Sequence, residues 1–259
     1  MDQLNIFVTG ATSGIGLGIA RHLAGEGHHI SFNGLADPGT VTSIRDALEA
    51  AGAASVRYYD ADMRKADEIR AMMSAAEAEM GRIDGLVNNA GIQFVAPIEE
   101  FPAEKWDEVI AINLSAAFHT IAVTLPGMKS RGFGRIVNIA SVHGVVASAG
   151  KVAYTAAKHG LVGLTRTIAL EAATDGVTCN AICPGWVRTP LVEAQIEARM
   201  AAKGTSRDEE ARDLVIERQP TGEFVTIEQI AALISFLMGP HAASITGTPL
   251  TIDGAFTAW

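Results

Sequence analysis

The sequence predicts an α/β fold in which a parallel sheet is covered by helices on both faces. Three observations carry this. Short β-rich runs alternate with longer stretches of helical periodicity along nearly the whole chain, a glycine-rich turn follows the first run, and no internal repeat, linker or low-complexity tract breaks the order. Strands that alternate with helices pair in parallel, because each right-handed crossover lays its helix back over the sheet. At 259 residues the chain can bury one substantial core, and 1–259 is expected to be a single domain.

The elements follow from the pattern in order. Residues 4–9 form a compact apolar run, the first strand, and a helix begins near Gly14, with Ile15, Ile19, Ala20 and Leu23 at helical spacing. Runs at 29–33 and 55–59 are the second and third strands, separated by a helix over 41–51. Helical patterns at 66–80, 106–128 and 154–173 each lead to a further strand, at 83–87, 135–139 and 177–182. A helix over 227–237 precedes the last strand at 249–252. The stretch 185–224 breaks the rhythm: it holds Glu193, Gln195, Glu197, Arg199 and a polar run at 206–213, and reads as helices outside the sheet. An insertion after a late strand sits over the carboxyl edge of the sheet, where such folds bind ligands, so residues from about 186 to 224 are expected to form a substrate lid.

Composition sets limits. With 48% apolar and 19% charged residues the chain is not disordered. A net charge of −9 argues against nucleic acid or an anionic membrane as partner, since both require a basic face. Met1-Asp2-Gln3-Leu4 runs into a strand without a charged-then-apolar leader, and no run approaches the roughly eighteen apolar residues of a membrane span. A cytoplasmic protein is expected, with Cys179 and Cys183 as unpaired thiols. No metal site is expected.

Two motifs carry chemistry. In Thr9-Gly10-Ala11-Thr12-Ser13-Gly14-Ile15-Gly16, Gly10, Gly14 and Gly16 follow a strand and open a helix. The backbone can there turn tightly and approach a pyrophosphate, which the unpaired N–H groups and dipole of the helix N-terminus favour. The spacing is G-x-x-x-G-x-G rather than the commonest dinucleotide fingerprint, and a tight turn alone would also use these glycines. The second motif is Tyr154 and Lys158, one helical turn apart, thirteen residues after Ser141. A phenol is a poor base at neutral pH, but a neighbouring ammonium is expected to lower its pKa. It can then exchange a proton with an alcohol oxygen while hydride moves at carbon, with Ser141 donating a hydrogen bond to that oxygen. At the end of the second strand, Asn33-Gly34-Leu35 lacks the usual ribose-binding carboxylate, the nearest being Asp37. No Arg or Lys stands there either, which favours NAD over NADP.

With these segments the chain resembles the short-chain dehydrogenase/reductase family from Thr9 to Gly254; further matches are Asp62, Asn88-Asn89-Ala90-Gly91, Asn113 and Pro184-Gly185. The resemblance implies a Rossmann-type doubly wound sheet of seven parallel strands in order 3-2-1-4-5-6-7, and homotetramers. It implies Tyr154 as acid/base, Ser141 on the substrate oxygen, Lys158 on the nicotinamide ribose, and Asn113 holding a water that extends the proton path. It also implies Asp62 at the adenine, Asn89 at the adenine ribose and Thr189 at the carboxamide. The remaining cofactor contacts would come from Thr12, Ser13 and Ile15 in the turn, Asn33 and Leu35, Met63, Ala90, Gly91, Pro184, Gly185 and Val187.

Within the family, Gln93, Ser141-Val142-His143-Gly144, Lys151 and the run from Ala181 to Glu193 resemble the bacterial (R)-3-hydroxybutyrate dehydrogenases, which implies NAD-dependent exchange of 3-hydroxybutyrate and acetoacetate. A 3-oxoacyl-thioester reductase, or another small-molecule alcohol dehydrogenase of the same family, is the alternative. Read as residues, Gln93, His143 and Lys151 lie near segments that must converge on Tyr154, and an ammonium with neutral donors suits a small carboxylate. Gln195 adds a donor from the lid unless it faces water, and Lys151 could instead be solvated on its loop. Trp186 reads as an apolar wall or as core filling. Near the end of the chain Phe256 keeps an aromatic ring where those enzymes often carry tryptophan, without the indole N–H.

Overall fold

A computed structural model describes residues 3–258; the leader reading at Met1-Asp2 and the terminal Trp259 lie outside the described residues. Seven strands form one sheet in the order β3-β2-β1-β4-β5-β6-β7, every pair parallel. They are β1 (Asn5–Val8), β2 (His29–Asn33), β3 (Ser55–Tyr59), β4 (Gly85–Asn88), β5 (Gly134–Ile139), β6 (Val177–Pro184) and β7 (Pro249–Ile252). The order reverses direction between β1 and β4, so the crevice at their carboxyl ends is a topological switch point.

Helices cover both faces. On one side α1 (Gly14–Gly25), α2 (Pro38–Ala51) and α9 (Ile227–Met238) bury Ile19, Leu23, Ile44 and Ile234 against Val8 and Ile30. On the other, α3 (Ala66–Met80), α5 (Ala116–Arg131) and α6 (Val152–Glu171) bury Met73, Ile121 and Ile168 against Phe7, Leu86 and Ile136. Helix α2 starts three residues before its apolar periodicity does, because Asp37 accepts from the Gly39 and Thr40 N–H groups and Pro38 occupies the first helical position.

The expected helix at 106–128 is longer and interrupted. It begins as α4 (Ala103–Ile110), passes through a π turn at Ala111–Ser115, and continues as α5. By length and composition the stretch Ala103–Arg131 is apolar enough to cross a membrane, which corrects the expectation that no segment is. It is instead a core helix of the sheet's second layer: Ile121, Leu125 and Met128 pack under β4 and β5, and Glu104, Asp107 and Glu108 occupy its first turns. Beneath the carboxyl edge, Asn88 Nδ2 donates to Asn138 Oδ1 at 2.9 Å, Thr120 donates to Asn88 Oδ1 at 2.6 Å, and Asn138 Nδ2 donates to Thr165 at 2.8 Å. This buried network ties β4, β5, α5 and α6 together below the site; a satisfied network of this kind holds its members in one arrangement.

The insertion folds as expected into two helices, α7 (Pro190–Lys203) and α8 (Arg207–Ile216). Val192, Ile196, Ala211 and Leu214 form their shared core, with Trp186 and Phe224 against it. Glu193 bridges Arg188 and Arg207, and buried Glu210 holds Arg199 and Lys203. Gln219 anchors the base of the insertion by accepting the Trp186 N–H at 3.0 Å and donating to the Glu223 carbonyl. Cys179 and Cys183 are free and buried on β6.

Candidate active site

A cleft of about 620 Å³ opens at the carboxyl ends of β1, β2, β4, β5 and β6, with the start of α7 over it. One end is walled by the glycine turn. Gly10 and Gly14 have φ of 61° and 54°, and a Cβ on Gly10 would stand 2.7 Å from the Ala90 Cα. Ser13 makes no side-chain cap on α1, while Thr12, Ser13, Gly14 and Ile15 line the cleft, so the first N–H groups of α1 are left for a ligand. Gly16 does not line it. A Cβ there would come within 2.3 Å of Asn89 Nδ2 and 2.4 Å of the Gly10 carbonyl, so the packing of α1 on the turn requires glycine at this position.

Beside the turn, Asn33 Nδ2 donates to the carbonyls of Tyr59 and Ala61 at 3.2 and 3.1 Å, and its buried Oδ1 has no partner. Leu35 is 67% exposed at the cleft edge. Asp62 and Met63 line the same end, and so does Arg64, which corrects the expectation of no cation there. Arg64 clasps Asp62 through Nε at 2.9 Å and Nη2 at 2.6 Å, with Glu108 at 3.6 Å, and this holds the Asp62 carboxyl down at about 2. Asn89 Nδ2 donates to the Thr9 and Gly10 carbonyls at 2.9 Å, so its amide shapes the turn. Ala90, Gly91, Pro184, Gly185, Val187 and Thr189 complete this wall, Thr189 also capping α7.

At the other end Tyr154, Ser141 and Lys158 meet. Lys158 is buried and donates to the Ile139 carbonyl at 2.7 Å; burial lowers its pKa to about 8. The Tyr154 pKa is raised by burial, and the hydrogen bond with Ser141 only partly opposes this. Lys158 does not offset this: its Nζ stands 5.5 Å from the centre of the phenol ring and is turned to a carbonyl, so the expected lowering is not seen. Asn113 lies in the π turn, outside the cleft beside a small adjoining cavity. Both ends of its amide are taken by Ile92, which donates to Oδ1 and accepts from Nδ2 at 2.8 Å each. The side chain thereby fixes the loop after β4, and each end of the amide keeps capacity for one further hydrogen bond.

Gln93, His143, Lys151, Trp186 and Gln195 all line this end, as does Phe256. Lys151 is buried rather than solvated, its pKa lowered to about 8, with its Nζ 4.8 Å above the Trp186 ring and no carboxylate paired to it among the described residues. Gln93 Nε2 and Trp186 Nε1 are buried donors without partners. Trp186 is thus more than an apolar wall. His143 has its Nδ1 3.3 Å from the Ser141 hydroxyl and its Nε2 2.8 Å from that of Ser148, and burial lowers its pKa to about 4. Phe256 is buried and edge-on to His143 at 6.2 Å, in the cleft of its own chain. Sequence reasoning missed Arg64 and Ser148. The first was signalled by its place two residues after Asp62; the second depends on a loop that periodicity does not describe.

A family model described as short chain dehydrogenase matches residues 4–200. The chain is 52% identical to the D-beta-hydroxybutyrate dehydrogenase of Cupriavidus necator, covering 97% of this chain and 96% of the relative. It is 50% identical to the D-beta-hydroxybutyrate dehydrogenase of Rhizobium meliloti, covering 97% of each. Among solved structures, a variant of actinorhodin polyketide ketoreductase with NADPH has a TM-score of 0.92 at 36% identity, covering 100% of this chain and 98% of the other. Levodione reductase has a TM-score of 0.90 at 32% identity, covering 98% of each.

Proposed function

The chain belongs to the short-chain dehydrogenases, and on that premise we propose that it interconverts (R)-3-hydroxybutyrate and acetoacetate with NAD as hydride carrier. One observation carries the substrate: beside Tyr154 and Ser141, the buried Lys151 ammonium and the unpartnered Gln93 and Trp186 N–H groups have no acceptor among the described residues. Buried donors are normally paired, so this set suits a ligand carboxylate. The uncapped N-terminus of α1 and the glycine cradle suit the pyrophosphate of a nicotinamide dinucleotide. When bound, the oxidised cofactor supplies the hydride acceptor and a positive charge beside the phenol. Tyr154 takes the hydroxyl proton in oxidation and returns it in reduction, Ser141 holds the reacting oxygen, and Lys158 meets the ribose. Burial raises the pKa of the phenol, and a positive charge near it would favour its ionised form.

NAD rather than NADP is supported by the charge at the adenine end. Leu35 is apolar, and the single Arg64 is countered by Asp62 and Glu108, leaving no surplus cation for a 2′-phosphate. The chain is further read as one domain over 1–259 with its lid at about 186–224, acting in the cytoplasm, where free buried thiols persist. A homotetramer is supported by exposed Phe118, Leu170 and Phe236 on α5, α6 and α9, and light scattering would give the mass. Initial rates of NADH and NADPH formation with (R)- and (S)-3-hydroxybutyrate test the activity. Turnover of the (R) acid with NAD is expected; inert free acids together with NADPH-dependent reduction of an acetoacetyl thioester would overturn it.

A further inference from the structure

Ser141 has one proton to donate and two lone pairs to accept with. One lone pair already receives the His143 backbone N–H at 3.2 Å. The His143 Nδ1 lies 3.3 Å from the same oxygen, so what Ser141 can do for a substrate depends on which ring nitrogen of His143 carries hydrogen. If Nδ1 bears it, that N–H fills the second lone pair and the Ser141 proton is left for the reacting oxygen. If Nδ1 is bare, it draws the Ser141 proton to itself, and the site loses a donor.

The other ring nitrogen is coupled to this choice, because a neutral imidazole has one donor and one acceptor nitrogen. Its partner is Ser148, 2.8 Å away on the half-buried loop between the turn at Val142–Gly144 and α6. We infer that Ser148 is a positioning residue: its hydroxyl donates to His143 Nε2 and so holds His143 in the Nδ1–H form that frees Ser141 to donate to the reacting oxygen. The donors then run in one sense, from Ser148 through the imidazole and Ser141 to the substrate. Such a chain strengthens its last bond as negative charge develops on that oxygen. The ring stays neutral for this purpose, since burial and the neighbouring Lys151 hold the His143 pKa near 4. His143 on this view acts through Ser141 rather than on the substrate carboxylate. The inference rests on the alcohol–ketone reading of the site and adds a residue to it.

Ser148→Ala, Ser148→Thr and wild type test it, each first compared by thermal unfolding. With Ser148→Ala, kcat should fall by about tenfold or more, part of the effect of removing an oxyanion donor outright, while KM for 3-hydroxybutyrate changes less than about twofold. Ser148→Thr should restore kcat to within about threefold, because it keeps the hydroxyl. A kcat within twofold of wild type in Ser148→Ala, or a loss confined to KM, would overturn the inference; the latter would make His143 a carboxylate donor. Nitrogen-15 NMR of the ligand-free protein, with the His143 signal identified by its loss in His143→Gln, reads the tautomer without any substrate. Nδ1–H is expected in wild type and a shift toward Nε2–H in Ser148→Ala. Nε2–H in wild type would overturn the inference even if turnover is normal, whereas absence of wild-type turnover with an Nδ1–H signal would count against the substrate reading alone.

Discussion

The two ends of the cleft are built on opposite terms. At the nucleotide end most polar side chains are already paired within the protein: Asn33 with two carbonyls, Asp62 with Arg64, and Asn89 with the backbone of the turn. What remains for a ligand there is mostly backbone and shape. At the substrate end Gln93 and Trp186 hold buried donors without acceptors among the described residues, and the Lys151 ammonium lies over the Trp186 ring with no carboxylate paired to it among them. The first arrangement reads a dinucleotide mostly by its form, and the second suits a ligand of negative charge. Specificity for the reactant therefore resides in groups that are costly to leave unpaired.

If the chemistry belongs to the substrate end alone, Tyr154→Phe should lower kcat by roughly three orders of magnitude while NADH binding, followed by fluorescence, stays within about twofold. A variant that lost cofactor binding as well would collapse the contrast between the two ends.

Lys151→Ala should raise KM for 3-hydroxybutyrate about ten- to a hundredfold, the worth of a charge-assisted contact in a closed site, with NAD affinity unchanged. Gln93→Ala should do the same more weakly. A change below twofold for Lys151→Ala would remove the case for an anionic substrate, although the oxidoreductase reading would stand.

The same lysine makes the contrast visible through pH. Burial lowers its pKa to about 8, so it is charged below that value and loses its proton as pH rises through it. KM for the acid should therefore be nearly flat up to pH 7 and rise by about fivefold between pH 8 and 9, to about tenfold above its value at pH 7. Lys151→Ala should abolish the rise. The NAD dissociation constant, measured over the same range, should not share it.

Much of this was legible in the sequence because it depends on short-range pattern. The strands at 29–33, 55–59 and 249–252 have the boundaries that their apolar runs imply, and the charged stretch after β6 is the pair of helices expected over the cleft. What was not legible depends on three-dimensional surroundings. The π turn at Asn113 shifts helical phase inside an otherwise continuous apolar stripe, and it brings the amide onto the backbone of Ile92. The raised Tyr154 pKa follows from burial, and the lysine that sequence spacing places one turn away is turned to the Ile139 carbonyl. Gly16 looks like its two companions in the motif, and only the 2.3 Å approach of Asn89 shows that it serves packing.

Cofactor choice should give the smallest effect, because it is set at the paired, partly exposed end. NAD is expected over NADP by roughly tenfold in kcat/KM, since a 2′-phosphate without a free cation loses more than about a kcal/mol. The position for adding a cation is set by sterics. A side chain at Gly34 would begin 2.5 Å from the Thr12 hydroxyl, disturbing the turn, whereas Leu35 lines the cleft and is 67% exposed. Leu35→Arg should raise NADP use relative to NAD by about fivefold, since solvent screening at an exposed site limits the new ion pair to about 1 kcal/mol. The gain should shrink at high salt, as expected for a surface charge and not for a buried one. A Leu35→Arg variant whose preference did not move would mean that the 2′-phosphate lies nearer Arg64. Asp62→Asn, which releases that guanidinium, would then be the substitution that shifts the ratio.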